Sequence, residues 1–107
     1  MEFDPSKKYD AKNFAQALRA WAKEELEHAE IVCETDDCYE YYRQFAERYT
    51  DMAEYFENVP QEFRDCLFEL AECGSENFGD PIVDVYRNGQ YICSLQFSSS
   101  EPQVLNG

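Results

Sequence analysis

Basic residues are scarce in this sequence. Nine lysines and arginines stand against 23 aspartates and glutamates, which gives a formal net charge of −14 over 107 residues. Such a balance argues against direct binding to nucleic acid, because a phosphate backbone would be repelled. It also opposes compaction through self-repulsion, although it favours solubility. The negative charge is therefore the first property that a function must explain.

The sequence also lacks any apolar run approaching the roughly 18 residues that a membrane span needs, and its amino terminus lacks the apolar stretch of a secretory signal. We therefore expect a cytoplasmic protein without membrane contact. The five cysteines, an odd number, cannot all pair internally, and without an export signal we expect all of them to be reduced. They are Cys33, Cys38, Cys66, Cys73 and Cys93.

Motifs of catalysis and metal binding are equally sparse. The single histidine, His28, is interpreted as a surface residue, since the di-iron spacing Glu25-x-x-His28 occurs once and those sites need two copies and further glutamates. The cysteine spacings differ from those of common zinc sites, and no glycine-rich phosphate loop or calcium loop is present. We expect a protein that is not an enzyme and has no cofactor or metal.

Apolar and aromatic residues are plentiful: 44% of the chain is hydrophobic, including eight tyrosines, eight phenylalanines and one tryptophan. That composition is unlike a disordered chain, and the length suits one domain over residues 1–107. Residues 1–9 are predicted to be an extended lead-in, and residues 98–107 a polar tail.

Two long helices are predicted in the first half of the chain. Asp10 can cap the first, whose end near Ile31 stays open, and Thr35 or Asp36 can cap the second. The buried face of the first is predicted to contain Phe14, Leu18, Trp21, Ala22, Leu26 and Ala29. In the second, apolar residues alternate between spacings of four and three: Cys38, Tyr42, Phe45, Tyr49, Met52 and Phe56.

The second half predicts a third helix and a hairpin. Pro60 suits a new helix start, and Gly74 a left-handed cap at its end. The buried face of this helix would be Phe63, Leu67, Leu70 and Cys66 or Cys73. After residue 81 the pattern alternates on both sides of Asn88-Gly89, the preferred pair for a type I′ turn. The expected pairs are Tyr86 with Tyr91 and Ile82 with Leu95, which together with Phe97 would face the helices.

These elements predict an α+β fold in which a three-helix N-terminal bundle packs against a C-terminal antiparallel β-hairpin. A lone two-stranded sheet is marginal in water. Packing on the helices, a further strand from the amino terminus, or a second subunit in a homodimer is therefore needed to complete the hairpin.

The negative charge is concentrated in the middle of the chain. Residues 24–80 carry eighteen acidic and three basic side chains, whereas residues 1–23 carry three acidic and five basic. Acidic residues of the second helix fall on the face opposite its apolar residues, and like charges at this spacing are destabilising. Tyr39 is expected to point outward beside them, and tyrosine is enriched at binding hot spots. The predicted partner-binding residues are Glu30, Glu34, Asp36, Asp37, Tyr39, Glu40, Glu47, Asp51 and Glu54.

In size and charge the chain resembles the DNA-mimic inhibitors of phages and mobile elements, which include anti-restriction and anti-CRISPR proteins. The resemblance implies an inhibitor whose carboxylates imitate a nucleic-acid backbone and occupy the basic groove of a nucleic-acid-binding protein, a nuclease or a CRISPR effector. Two alternatives stay open. One is an immunity protein that neutralises a nuclease toxin through similar steering, and the other is an enzyme whose carboxylate-rich helices hold a metal.

Overall fold

A computed structural model describes Asp4 and residues 7–72, 80–99 and 101–105. The elements are β1 (Tyr9–Asp10), α1 (Ala11–Val32), α2 (Asp36–Glu57), a 3-10 turn (Gln61–Phe63), β2 (Leu67–Glu72), β3 (Ile82–Arg87), β4 (Gln90–Gln96) and β5 (Gln103–Leu105). All neighbouring strands are antiparallel and lie in sequence order. The described residues therefore form an α+β fold in which two helices are inserted between β1 and β2 of a five-stranded meander.

Both predicted helix starts are confirmed. The Asp10 carboxylate accepts a hydrogen bond from the Asn13 backbone N–H at 2.8 Å, and the Thr35 hydroxyl accepts one from the Cys38 N–H at 3.3 Å. Each side chain satisfies a donor that the first helical turn leaves unpaired. The first helix continues through Val32 and ends at Cys33.

The predicted third helix is wrong. After Pro60 the chain makes only the 3-10 turn and then enters β2, which pairs with β1 on one side and β3 on the other. Cys66, Phe68 and Leu70 are buried while Leu67 is exposed, which is the period of two of a strand. The apolar pattern of this segment fits both the helical period of 3.6 and the strand period of two, and pairing with the neighbouring strands decides for the strand. The predicted cap Gly74 and the cysteine Cys73 lie outside the described residues.

The hairpin turn at Asn88-Gly89 is confirmed, with φ of 54° and 79° and with Tyr86 opposite Tyr91. The rest of the predicted register is wrong, because a bulge next to Tyr86 shifts the pairing by one residue. Val83 therefore lies opposite Leu95, and Ile82 lies opposite Gln96. A one-residue slip exchanges the two faces of a strand, so the valines of β3 face the core in place of Ile82 and Tyr86.

Further strands within the chain complete this hairpin. β2 extends it on one side, and β5 pairs with β4 on the other, within the segment predicted to be a polar tail. β1 forms at the end of the predicted lead-in.

The core lies between the helices and one face of the sheet, with Phe56 at its centre. Its ring lies 4.8 Å from that of Phe14, 4.7 Å from that of Phe68 and 5.7 Å from that of Phe97. Further along the helices, Trp21 and Tyr49 stack with ring centroids 4.7 Å apart. Within the described ranges, neither helix combines the length and the apolarity required to cross a bilayer.

Candidate functional site

Four of the predicted partner-binding carboxylates lie along the outer side of α2. Tyr49, Met52 and Phe56 fix the opposite side of this helix in the core. The outer residues, which we call the acidic stripe, are Glu40, Glu47, Asp51 and Glu54. Their side chains are exposed, that of Glu40 partly. With a helical rise of about 1.5 Å per residue, the stripe is about 21 Å long.

Arg43 partly offsets the negative charge at one end of the acidic stripe. Its guanidinium Nε donates to Glu40 Oε2 at 2.9 Å, and other guanidinium nitrogens pair with Glu40 and Glu47. The hydrogen bond from Arg43 lowers the pKa of Glu40 below its usual value. Within the part of the chain that the structure describes, Asp51 and Glu54 form no ion pair.

A second group of carboxylates surrounds the connection between the helices. We call this group the acidic tip; it consists of Glu30, Glu34, Asp36 and Asp37, all exposed. Between Glu24 and Asp37 the chain carries seven acidic residues, and no ion pair among the described residues involves any of them. Asp36 and Asp37 of the tip lie in the first turn of α2, and Glu30 and Glu34 lie in the last turn of α1 and in the connection.

A disulfide joins Cys33 and Cys38 beneath the acidic tip, with Cα atoms 5.5 Å apart. It connects the C-cap of α1 to the first turn of α2. The prediction that all five cysteines are reduced is therefore wrong, because the caps of two consecutive helices bring this pair together. Cys66 and Cys93 are free thiols in the core, where burial raises the pKa of Cys93.

The tyrosines at this end are arranged differently from the prediction. Tyr39 is half-buried, whereas Tyr41 is 39% exposed and packs on Tyr42 with ring centroids 5.5 Å apart. The last turn of α1 also exposes two apolar residues, Ile31 at 82% and Val32 at 46%. The signal for this exposure in the sequence is their position after Ala29, the last buried residue of α1.

His28 and the cysteine and acidic side chains are the residues that a catalytic or metal site would draw on. His28 is exposed and packs edge-on against Tyr42 at 5.8 Å, which agrees with a surface histidine. Across the residues described, no three histidine, cysteine or acidic side chains are grouped so that they could hold a metal ion.

Comparisons of the chain with protein-family models, curated proteins and solved structures gave no significant match. The features of the chain that bear on its function are therefore the acidic stripe, the acidic tip and the apolar side chains exposed beside the tip.

Proposed function

We propose that this protein is a non-enzymatic inhibitor that binds a basic nucleic-acid-binding protein and blocks its nucleic-acid groove. The partner would be a nuclease, a restriction enzyme or a CRISPR effector. The observation that carries the proposal is the distribution of ion pairs. Acidic residues near the sheet, such as Glu57, Glu69 and Asp80, pair with basic side chains, whereas those between Glu24 and Asp37 form no ion pair with any residue that the structure describes.

Folding alone does not account for this distribution. Asp36 and Asp37 lie in the first turn of α2, where the helix dipole favours negative charge. Glu30 lies in the last turn of α1, where the dipole disfavours it, and that turn contains no basic residue. Glu30 opposes the dipole of α1, and the tip gathers like charges, both of which lower stability, so a binding role gives the better explanation for the acidic tip.

The exposed apolar residues support a protein partner. Ile31, Val32 and Tyr41 supply contact area at the same end of the helices as the acidic tip, and interfaces combine such residues with charged rims. The charge would speed encounter with a basic surface, and the apolar contacts would slow dissociation. We place this interaction in the cytoplasm of a cell that carries a phage or mobile element, where the Cys33–Cys38 disulfide would be an exception, because disulfides are rare in the reducing cytosol.

An immunity protein would use the same surface against a nuclease toxin, and a toxin as the captured partner would favour that function. A pull-down from nuclease-rich lysate, followed by binding measurements on each captured nucleic-acid-binding protein, distinguishes the two.

The double variant Glu47→Lys/Asp51→Lys tests the surface itself. We expect the variant to lose binding to the captured partner and to stop displacing DNA from that partner. The difference between variant and parent should shrink as salt rises, because the Debye length is about 10 Å at 0.1 M. The control is Glu72→Lys/Glu101→Lys, which makes the same change in charge at exposed residues outside α2. Equal binding by the folded double variant and the parent would show that the acidic stripe is not the site.

A further inference from the structure

A cleft of about 300 Å³ opens between α1 and α2 beside the acidic stripe. One of its lining residues comes from α1 and five from α2: Leu26, Arg43, Ala46, Glu47, Thr50 and Asp51. Its volume is at the lower limit for ligand pockets, so it suits one side chain better than a large ligand.

The lining has an apolar part and a charged part. Leu26 and Ala46 provide hydrocarbon surface, and the Thr50 hydroxyl donates to the Ala46 carbonyl at 2.9 Å, so its hydrogen is already used within α2. Glu47 and Asp51, one helical turn apart, line the same cleft. Asp51 forms no ion pair with any described residue.

We infer that this cleft receives a single arginine side chain from the basic partner. The inference rests on the proposed function and identifies the chemistry that its surface recognises. The aliphatic part of an arginine would lie along Leu26 and Ala46, and its guanidinium would donate to Asp51 and share Glu47. An unpaired carboxylate at the edge of an apolar cleft is complementary to a long side chain with a cationic end.

Arginine fits this lining better than lysine does. A guanidinium is planar, more weakly hydrated than an ammonium, and donates to two carboxylates at once. The chain itself shows that the carboxylates here accept such a group, because Arg43 pairs with both Glu40 and Glu47. Arg43 also lines the cleft, so an incoming arginine competes with it for Glu47.

Titration of the isotope-labelled protein with hexa-arginine and hexa-lysine peptides tests the inference. We expect the arginine peptide to bind several-fold tighter, with the largest amide shifts at Leu26, Ala46 and Thr50. If both peptides bind equally and shift mainly the exposed side of α2, the acidic stripe attracts cations and the cleft inference is wrong. If neither peptide binds at low salt, the proposed function fails with it.

Thr50→Arg provides an independent test, because it fills the cleft from within and places a guanidinium three residues after Glu47 and four before Glu54. Its control is Gln16→Arg, which makes the same change in charge at an exposed α1 residue outside the cleft. We expect Thr50→Arg to remove the preference for arginine and Gln16→Arg to retain it. If the folded Thr50→Arg variant still prefers the arginine peptide, the inference is wrong. If that variant does not fold, the amide shifts of the parent protein on titration show whether the arginine peptide binds in the cleft.

Discussion

Arg19 of α1 and Glu57 of α2 form a bidentate ion pair, in which guanidinium Nε and Nη2 donate to the two carboxylate oxygens at 2.8 Å and 2.7 Å. The two residues are 38 positions apart in sequence, and their pair joins the two helices. The hydrogen bond raises the pKa of Arg19 and lowers that of Glu57. The ends of the helices that pack on the sheet are thus fastened by charge as well as by the phenylalanine core.

Glu57→Gln should destabilise the protein by roughly 0.2–1 kcal/mol at pH 7, the range for exposed ion pairs. Because the folded pKa of Glu57 is lowered, its contribution is present above the unfolded pKa of about 4.3 and is lost as the pH falls through the folded value. Urea unfolding of parent and variant at pH 7 and about pH 3 measures this. Glu72→Gln, at an exposed residue of β2 outside the pair, is the control. An equal loss at both pH values would contradict the role of the charge.

The fold was predictable where local chemistry determines it. The caps Asp10 and Thr35 and the turn at Asn88-Gly89 depend on residues close in sequence. The strand around Phe68 was not predictable from its own sequence, because pairing with distant segments of the chain specifies it. The bulge next to Tyr86 was equally hidden, since no glycine or proline marks it.

The candidate site was predictable from periodicity alone up to a point. The spacing of Glu40, Glu47, Asp51 and Glu54 indicated one exposed side of a helix, and all four lie there. The double pairing of Arg43 and the exposure of Tyr41 depend on side-chain conformations that spacing leaves open. The cleft against Leu26 needs the packing of α1 on α2, which no local pattern predicts.

Gly89→Ala should destabilise the hairpin by about 1–2 kcal/mol, since Gly89 has φ of 79° and an L-residue pays a penalty in that region. The cause is backbone strain alone, because a Cβ at this position meets nothing within 4 Å. Chemical denaturation of the variant measures the loss. Asn88→Gly, at the neighbouring positive-φ position, is the control and should be nearly neutral. An unchanged midpoint for Gly89→Ala would show that the turn relaxes without cost.

Sequential alkylation should separate the four cysteines in the described part of the chain into two classes. Cys66 and Cys93 are buried thiols and should react once the protein is denatured. Cys33 and Cys38 should react only when the protein is both denatured and reduced, because they form a disulfide. Peptide mass mapping with a different alkylating reagent at each step assigns each residue. Modification of Cys33 and Cys38 in denaturant without reductant would show that the disulfide is absent.

Arg43→Gln should strengthen binding of hexa-arginine, although it removes two ion pairs within α2. Arg43 is the only basic residue among those that line the cleft, and it holds Glu47, which an incoming arginine would share. Its removal makes the acidic stripe more negative, so association should become faster at low salt. The pKa of Glu40 should return toward its ordinary value, because the hydrogen bond that lowers it is lost.

Arg64→Gln is the matched control, since it makes the same change in charge at an exposed residue after the 3-10 turn. Peptide affinity at two salt concentrations and an NMR titration of the Glu40 carboxyl carbon measure the two effects. The proposed site requires a larger gain for Arg43→Gln than for Arg64→Gln, and a gain that shrinks as salt rises. Equal gains would mean that net charge alone attracts the peptide, because only Arg43 competes for the carboxylates of the stripe.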